Sequence, residues 1–248
     1  MVQVDDDRLS REREFHNERF AASEARREDA FYFAIADGAE EYGRRVRAAA
    51  RGRDVLEYGC AGGGASVALA ASARSLVGID ISDVAIAQAV AAASAAGLGQ
   101  ARFQVDDAQR MGLPSNAFDL VFGSGIVHHL DVEAAIREVR RVLRPGGRAI
   151  FWEPLGHNPL INLYRARTPH ARTPDEHPLL RRDLDLIAQR FAACDLSFHG
   201  LCTLLSIPLR GGPAGRVVRS AGAWADAALL RVPGLRWQAW YVLMDLRA

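Results

Sequence analysis

The pattern of hydrophobic and polar positions changes near residue 54. Residues 5–50 set aromatic residues among arginines and glutamates, which is typical of amphipathic helices. From Asp54 onward, short hydrophobic runs alternate with helix-length stretches, which predicts βαβ units and a mostly parallel sheet. The candidate strands are DVLEYG, SLVGIDI, ARFQV, FDLVFGS and GRAIFWE, with SFHGLCTLLS and WYVLMDLR as two closing strands.

Short polar residues just before an apolar helical pattern predict the starts of several helices. Residues 144–147 are expected to stop one helix and turn the chain into the fifth strand. Further helices are expected near 183–193 and 214–231, and the second is apolar enough for a packed helix, a lid or a homodimer face. The expected caps are Asp83, Asp131 and Asn158, with capping-box spacing between Thr173 and Glu176.

The length of 248 residues is enough for one large core with a small cap. We expect a helical cap over residues 1–50 and one catalytic domain over 51–248. Residues 154–182, which hold five prolines, and residues 207–232 are expected to be cap or lid insertions within that domain. For 154–182 a plain structural crossover is an equal alternative to an acceptor-binding wall.

The charge balance narrows the classes of partner and of chemistry. A formal net charge of +1 gives no electrostatic reason to expect a nucleic-acid partner. All 31 basic residues are arginines, so the chain has no lysine for a Schiff base, a pyridoxal-phosphate linkage or a P-loop.

The cysteines and the terminus favour a cytoplasmic protein. The three cysteines show no CxxC spacing, so neither a disulfide framework nor a zinc motif is expected. The terminal run MVQVDDDRLS is acidic and does not resemble a signal peptide, and no apolar window is long enough for a transmembrane segment.

The strongest local signal is the run VLEYGCAGGG at residues 55–64, a hydrophobic strand that opens into a glycine-rich turn before a helix. Glycines let the backbone approach a ligand, and the helix start offers free N–H groups. Asp80 ends the second strand, where a carboxylate can bind both hydroxyls of an adenosine ribose. At this point a nicotinamide dinucleotide and S-adenosylmethionine are both compatible with the pattern.

The acidic residues and segments that accompany the turn distinguish a nicotinamide dinucleotide site from an S-adenosylmethionine site. Glu57 stands before the first glycine, Asp106 and Asp107 follow the third strand, and FDLVFGSGIVHHLD and VLRPGG come in that order behind them. In this order the segments resemble the class I S-adenosylmethionine-dependent methyltransferases, particularly the small-molecule group with ubiquinone-biosynthesis-like and natural-product enzymes. The resemblance covers residues 54–153 strongly and the flanks loosely.

The resemblance implies S-adenosylmethionine as cofactor and S-adenosylhomocysteine as product. The turn would line the methionine part with Glu57 beneath it, Asp80 would bind the ribose, Asp107 and Ala108 would meet the adenine, and Ser124 would lie beside the sulfonium. Ala61 departs from the pattern, since the family usually has glycine there. The implied cofactor-binding set is Glu57, Gly59, Cys60, Ala61, Gly63, Asp80, Ile81, Asp106, Asp107, Ala108 and Ser124.

Catalytic candidates cluster where open α/β sheets place ligands, beyond the carboxyl ends of the strands. Histidine suits proton transfer near neutral pH, although methyl transfer needs a base only when the acceptor must lose a proton. No metal site is expected, because adjacent histidines would point apart on a helix. The candidates are His128, His129 and Glu153, with His16, His157 and His177 as further possibilities in the cap or the proline-rich segment.

The sequence thus predicts an α/β, Rossmann-like three-layer sandwich with a seven-stranded, mostly parallel sheet, an antiparallel last strand and an N-terminal helical cap. The expected function is methylation of a small, rather apolar metabolite at oxygen, nitrogen or carbon. Three alternatives stay open: a protein with this fold that does other chemistry or only binds, a nicotinamide-dependent oxidoreductase, and an enzyme that methylates a lipid or prenyl substrate at a membrane surface.

Overall fold

The computed structural model describes residues 2–21, 32–168, 173 and 176–248. Seven strands form one sheet in the order β3-β2-β1-β4-β5-β7-β6. The first five pair in parallel, and β7 is antiparallel to both of its neighbours. This confirms the predicted sheet. The strands are β1 Asp54–Tyr58, β2 Ser75–Asp80, β3 Ala101–Val105, β4 Phe118–Ser124, β5 Leu143–Pro154, β6 Ala193–His199 and β7 Tyr241–Arg247.

Helices connect the strands and cover both faces of the sheet. Short 3-10 helices lie at Phe33–Ile35, Val127–His129, Cys202–Leu209 and Leu235–Gln238. Within the described ranges, no helix is long and apolar enough to cross a bilayer. The α-helices are α1 Val2–Ala21, α2 Ala36–Ala50, α3 Gly64–Ala70, α4 Asp83–Ala95, α5 Val132–Val142, α6 Pro159–Arg167, α7 Arg181–Gln189 and α8 Pro213–Leu229.

Alternation along the strands sends apolar side chains to two cores. Leu56 on β1 belongs to a cluster with Ile136 of α5 and Ile187 of α7. Its neighbour Val55 belongs to a second cluster with Val46 of α2. Because successive strand residues point to opposite faces, the sheet is buried on both sides and the sandwich has three layers.

The helix caps agree with the sequence at two places and differ at a third. Asp131 accepts a hydrogen bond from the Ala134 N–H at 2.7 Å, and Asn158 caps α6. The prediction of Asp83 as a cap was wrong, since Ser82 Oγ accepts from the Ala85 N–H at 3.0 Å. Asp83 instead lies in the first turn of α4, where its charge faces the positive end of the helix dipole.

The structure differs from the sequence prediction at the end of β6 and at the start of β5. The candidate strand SFHGLCTLLS was wrong in its second half: β6 ends at His199, and Cys202–Leu209 is a 3-10 helix. Residues 144–147 do not separate α5 from β5 as expected, because β5 already begins at Leu143 with an irregular register against β4. The proposed capping box at 173–176 includes residues 174–175, which lie outside the described residues.

The N-terminal segment contributes to two different parts of the molecule. Residues 36–50 form α2, which packs on the sheet and belongs to the helical layer. The cap over residues 1–50 stays a prediction. In α1, by contrast, the Asn17 Nδ2 donates to Asp83 at 2.8 Å, and the Asn17 Oδ1 accepts from Ser82 Oγ at 2.6 Å. These bonds hold α1 beside the carboxyl end of β2, where the chemistry-bearing loops converge.

Candidate active site

The turn after β1 is built on positive φ angles. Gly59, Ala61 and Gly63 have φ values of 76°, 47° and 79°. Cys60 is held by donation of its N–H to the Ile79 carbonyl at 2.8 Å, and its side chain is buried. The turn therefore presents Gly59 and Ala61 to a cavity, whereas Cys60 and Gly63 do not line it.

Glu57 lies behind this turn, at the end of β1. It is 7% exposed, and its carboxylate accepts a hydrogen bond from Ser66 Oγ of α3. Burial raises the pKa of Glu57 to about 7, against the opposing effect of the Ser66 hydrogen bonds. Since Glu57 does not line the cavity, its contact with the site runs through the turn and α3.

Asp80 joins the loops that follow β1 and β2. Its Oδ2 accepts from the Ala61 N–H at 2.8 Å, and its Oδ1 accepts from the Ser82 N–H at 3.0 Å. Each carboxylate oxygen offers a second lone pair, so Asp80 can still accept hydrogen bonds from hydroxyl groups in the cavity. Both Asp80 and Ile81 line that cavity.

The loop after β3 forms another wall of the cavity. Asp106, Asp107 and Ala108 all line it. The Asp106 carboxylate accepts from the backbone N–H groups of Asp107 and Gly112, each at 3.0 Å, and the Tyr58 hydroxyl donates to the Ala108 carbonyl at 2.6 Å. These bonds fix the loop, so its backbone and the Asp107 side chain have defined positions.

Together these loops enclose a cavity of about 440 Å³, which we call the turn cavity. Its volume lies within the range of about 300–1,000 Å³ that is usual for ligand pockets. Helix α1 supplies a further wall through Leu9, Glu12, His16 and Phe20. A ligand in the turn cavity would therefore be enclosed by α1 as well as by the strand ends.

A second cavity of about 320 Å³ adjoins the turn cavity, and Arg19, Ser124, Gly125 and His129 line both. We call it the aromatic cavity after its ring-bearing wall. The rings of Trp152 and Tyr241 stack with centroids 4.8 Å apart, and those of Tyr32 and Trp240 stack at 5.9 Å. Residues of the 154–182 segment complete this wall, namely Pro154, Ile161, Tyr164, Arg165 and Glu176.

His128 lines the aromatic cavity and is oriented by a buried carboxylate. Its Nδ1 lies 2.8 Å from the Oε2 of Glu153, which is fully buried. The other carboxylate oxygen of Glu153 accepts from the N–H groups of Ile126 and Val127 at 3.0 and 3.1 Å. Glu153 lines neither cavity and contacts the site through the Nδ1 of His128, which leaves the Nε2 of His128 for other partners.

His129 faces α1. Its Nδ1 lies 3.5 Å from the Oε2 of Glu12, and the Nε2 of His16 lies at the same distance from that oxygen. Burial alone would raise the pKa of Glu12, but interactions with His129 and His16 outweigh it, and the pKa is well below its ordinary value. The sequence pointed to both histidines but not to Glu12. Its position four residues before His16, on one face of a helix, is the signal that could have found it.

The adjacent histidines do not point apart as the sequence argument against a metal site assumed. The rings of His128 and His129 lie 4.3 Å apart, because Val127–His129 is a 3-10 turn rather than part of an α-helix. Among the described residues, the side chains able to ligate a metal gather in two triads, Glu12 with His16 and His129, and His128 with His129 and Glu176.

The remaining histidine candidates, His157 and His177, line neither cavity. The His157 Nε2 accepts from the Arg181 N–H at 3.3 Å, its ring lies against Trp237, and burial lowers its pKa. The His177 N–H donates to the His128 carbonyl at 2.8 Å, so its backbone supports the histidine turn. Residues 207–232 also line neither cavity, and the cap or lid insertion expected there stays a prediction.

Comparison with known proteins identifies the domain. Residues 56–151 match a family model described as a methyltransferase domain. Residues 56–151 therefore form a methyltransferase domain. This confirms the resemblance to the class I S-adenosylmethionine-dependent methyltransferases that was drawn from the glycine turn and the strand-end acids.

The curated relatives of the methyltransferase domain differ in acceptor. A sterol 24-C-methyltransferase of Aspergillus fumigatus is 35% identical over 136 residues, covering 54% of this chain and 34% of that protein. A ubiquinone biosynthesis O-methyltransferase of Pseudomonas aeruginosa is 30% identical over 119 residues, which cover 48% of this chain and 51% of that protein. The chain spans about half or less of the length of the curated relatives that it matches.

Among solved structures, the YcgJ protein of Bacillus subtilis superposes with a TM-score of 0.57 at 19% identity. The match covers 84% of this chain and 96% of that one. At this identity the likeness concerns the fold alone.

Proposed function

We propose that the protein transfers a methyl group from S-adenosylmethionine to a small, largely apolar acceptor at oxygen, nitrogen or carbon. The observation that carries this proposal is the junction of the turn cavity and the aromatic cavity at Ser124 and Gly125. Two adjoining pockets allow a donor and an acceptor to be held in line, which is the main requirement of a displacement at carbon.

The turn cavity fits S-adenosylmethionine, which when bound supplies an electrophilic methyl group on its sulfonium. The backbone of Gly59 and Ala61 allows close approach, Asp80 retains lone pairs for the ribose hydroxyls, and the loop carrying Asp107 and Ala108 offers an edge for the adenine. Cys60 and Gly63 would shape the turn, and Glu57 would act from behind it.

The aromatic cavity fits a planar or apolar acceptor. Its rings offer a large apolar surface and exclude water, which would otherwise compete as an acceptor and weaken the electrostatics of the site. The partner is therefore a small molecule. The charge balance gives no support to a nucleic acid, and the three free cysteines are consistent with the proposed cytoplasmic location.

His128 is the general base for an acceptor that must lose a proton. Glu153 fixes the ring through Nδ1, which directs the Nε2 toward the aromatic cavity. His128→Ala should lower kcat about a hundredfold with S-adenosylmethionine affinity nearly unchanged. Glu153→Gln keeps the shape and should give a smaller loss in kcat, whereas His157→Ala serves as a matched control with full activity.

The cofactor assignment is tested by calorimetry on Asp80→Ala. Loss of a charge-assisted acceptor should weaken S-adenosylmethionine binding by about 1.5–3 kcal/mol in a folded protein. Asp185→Ala, at an exposed position on α7, is the control. Wild-type affinity in folded Asp80→Ala, or tighter binding of a nicotinamide dinucleotide, would contradict the assignment.

Methyl transfer itself is tested by release of S-adenosylhomocysteine with a panel of small phenols, amines and activated carbon acids. We expect turnover with some members of the panel and loss of turnover when Trp152 is replaced by alanine. Tight cofactor binding without methyl release for any acceptor class would favour the alternative of non-methylating chemistry on the same fold.

A second candidate function is methylation of a lipid or prenyl substrate at an anionic membrane surface. The favouring observation is α8, whose exposed face includes Val217 and Trp224, at 68% and 82% exposure, and Arg216 nearby. If this is the function, the protein should co-sediment with phosphatidylserine vesicles, and Trp224→Ser should abolish that binding. A wild-type protein that stays in the supernatant excludes it.

A further inference from the structure

A cluster of possible metal ligands lies between α1 and the 3-10 turn Val127–His129, and methyl transfer does not require it. Glu12, His16 and His129 each place one ligand atom within 4.8 Å of the other two. We propose that this triad binds a divalent transition-metal ion, with Zn²⁺ as the best match to two imidazoles and one carboxylate. The proposal goes beyond the proposed function, because metal binding here depends on neither the cofactor nor the acceptor.

The distances fit a metal better than hydrogen bonds. The Oε2 of Glu12 lies 3.5 Å from the Nε2 of His16 and 3.5 Å from the Nδ1 of His129. A direct N–H···O hydrogen bond would bring such a pair to about 2.9 Å. Around a tetrahedral Zn²⁺ with bonds of about 2.0–2.1 Å, neighbouring ligand atoms are separated by about 3.4 Å.

Two buried polar atoms of the triad also lack partners. The Oε1 of Glu12 and the Nδ1 of His129 are inaccessible to solvent and have no hydrogen-bond partner among the described residues. The Glu12 side chain is 8% exposed and that of His129 is 14% exposed. Buried polar atoms without partners are rare in native proteins, and a metal ion bound by the Glu12 Oε2 would supply the missing partner of the His129 Nδ1.

The second triad of the region, His128 with His129 and Glu176, is the weaker candidate. In this triad the Nε2 of His128 lies 3.8 Å from the Oε1 of Glu176. His128 is also already oriented toward the aromatic cavity by Glu153. Since both triads use His129, an experiment must separate them by changing Glu12 or His16 on one side and Glu176 on the other.

A metal at the first triad would couple α1 to the catalytic domain. Two ligands come from α1 and the third follows β4, so the ion would cross-link the two segments at the wall of the turn cavity. Three protein ligands leave the fourth position for water or another exchangeable ligand. Arg8 also contacts the triad, since its guanidinium donates to the His129 carbonyl.

The test uses the full chain after treatment with a chelator and dialysis. Calorimetry with Zn²⁺ should show one site per chain, and Co²⁺ should give the intense visible bands of a tetrahedral complex. His16→Ala and Glu12→Gln should each weaken Zn²⁺ binding at least a hundredfold, whereas His157→Ala and Glu176→Gln should bind as the wild type. Absence of one-site binding, or an octahedral Co²⁺ spectrum in the wild type, overturns the proposal.

Two further outcomes decide the assignment. Unchanged Zn²⁺ binding in His16→Ala, or loss of binding only in Glu176→Gln, overturns the proposed triad. If a variant does not fold, hydrogen exchange on the wild type decides instead: Zn²⁺ should slow exchange in residues 8–21, and unchanged exchange contradicts the cross-link. S-adenosylmethionine binding measured on the same metal-free protein separates a failure here from a failure of the proposed function.

Discussion

At the scale of single residues, Ala61 has a backbone conformation that glycine usually adopts. Its φ is 47°, a region in which a Cβ atom is strained, yet its N–H still donates to Asp80. The departure from the family pattern therefore costs conformational energy and leaves the hydrogen bond of the turn intact. Ala61→Gly should preserve cofactor affinity and raise the free energy of unfolding by up to about 1 kcal/mol, as measured by urea denaturation.

Gly59 is constrained for a different reason from the one that the sequence suggested. A Cβ on Gly59 would lie 2.9 Å from the Ile126 side chain, so it would clash with the protein before it reached a ligand. Gly59→Val should therefore lose stability as well as cofactor binding. Gly52→Ala is the control, since Gly52 also has a positive φ, of 64°, but open space around it. A smaller loss of stability in Gly52→Ala than in Gly59→Val would show that the clash with Ile126 adds to the backbone strain.

Glu57 links the stability of the turn to pH. Its pKa in the folded state is about 7, above the ordinary value of 4.5, so its contribution to stability is complete below pH 4.5 and is lost as the pH rises through 7. A shift of this size corresponds to on the order of 3 kcal/mol. The free energy of unfolding of Glu57→Gln, minus that of the wild type, should therefore be larger at pH 8 than at pH 5. Urea denaturation at the two pH values measures this difference between variant and wild type. A difference that is the same at both pH values contradicts the prediction.

At the scale of elements, the unexpected 3-10 helix Cys202–Leu209 is held by α8. Asp226 on α8 is buried and accepts from the N–H groups of Leu201 and Cys202 and from Thr203 Oγ, and a Cβ on Gly222 would meet the Thr203 backbone at 2.9 Å. The run SFHGLCTLLS has the composition of a strand, but its second half is helical because its backbone N–H groups bind a buried carboxylate on a helix that comes later in the chain.

Removing that carboxylate should destabilise the molecule without touching the site. Asp226→Ala leaves two backbone N–H groups and one hydroxyl without their partner, which should lower the free energy of unfolding by about 2–4 kcal/mol. Cofactor affinity at low temperature should stay at the wild-type value, because Asp226 lines neither cavity. Asp185→Ala should change neither quantity, and an equal loss of stability there would contradict the capping role.

At the scale of the whole molecule, α1 covers the turn cavity, and none of its described side chains, residues 8–21, belongs to either main core cluster. A chain lacking residues 1–21 should therefore keep its sheet and most of its stability while binding S-adenosylmethionine at least about tenfold more weakly. Circular dichroism and calorimetry measure the two effects. Glu18→Gln, at an exposed position of α1, is the control, and wild-type affinity in the shortened chain would remove α1 from the binding site.

Much of the fold was predictable because its signals are local. The alternation of strands and helices, the glycine turn and the acids Glu57, Asp80 and Asp107 follow from spacing along a short stretch of chain. The bounds of the predicted cap over residues 1–50 were harder to set, since nothing local distinguishes a helix that packs on a sheet, such as α2, from one that covers a cavity, such as α1.

By itself, the sequence determined the class of fold and the strand ends that carry the cofactor loops, because hydrophobic period and glycine conformation act between near neighbours. Only the tertiary structure decided what each histidine faces. It placed His128 against Glu153 and the aromatic cavity, and His129 against Glu12 and His16. These contacts join segments far apart in the chain, and their geometry depends on the 3-10 turn after β4 and on how α1 docks against α4.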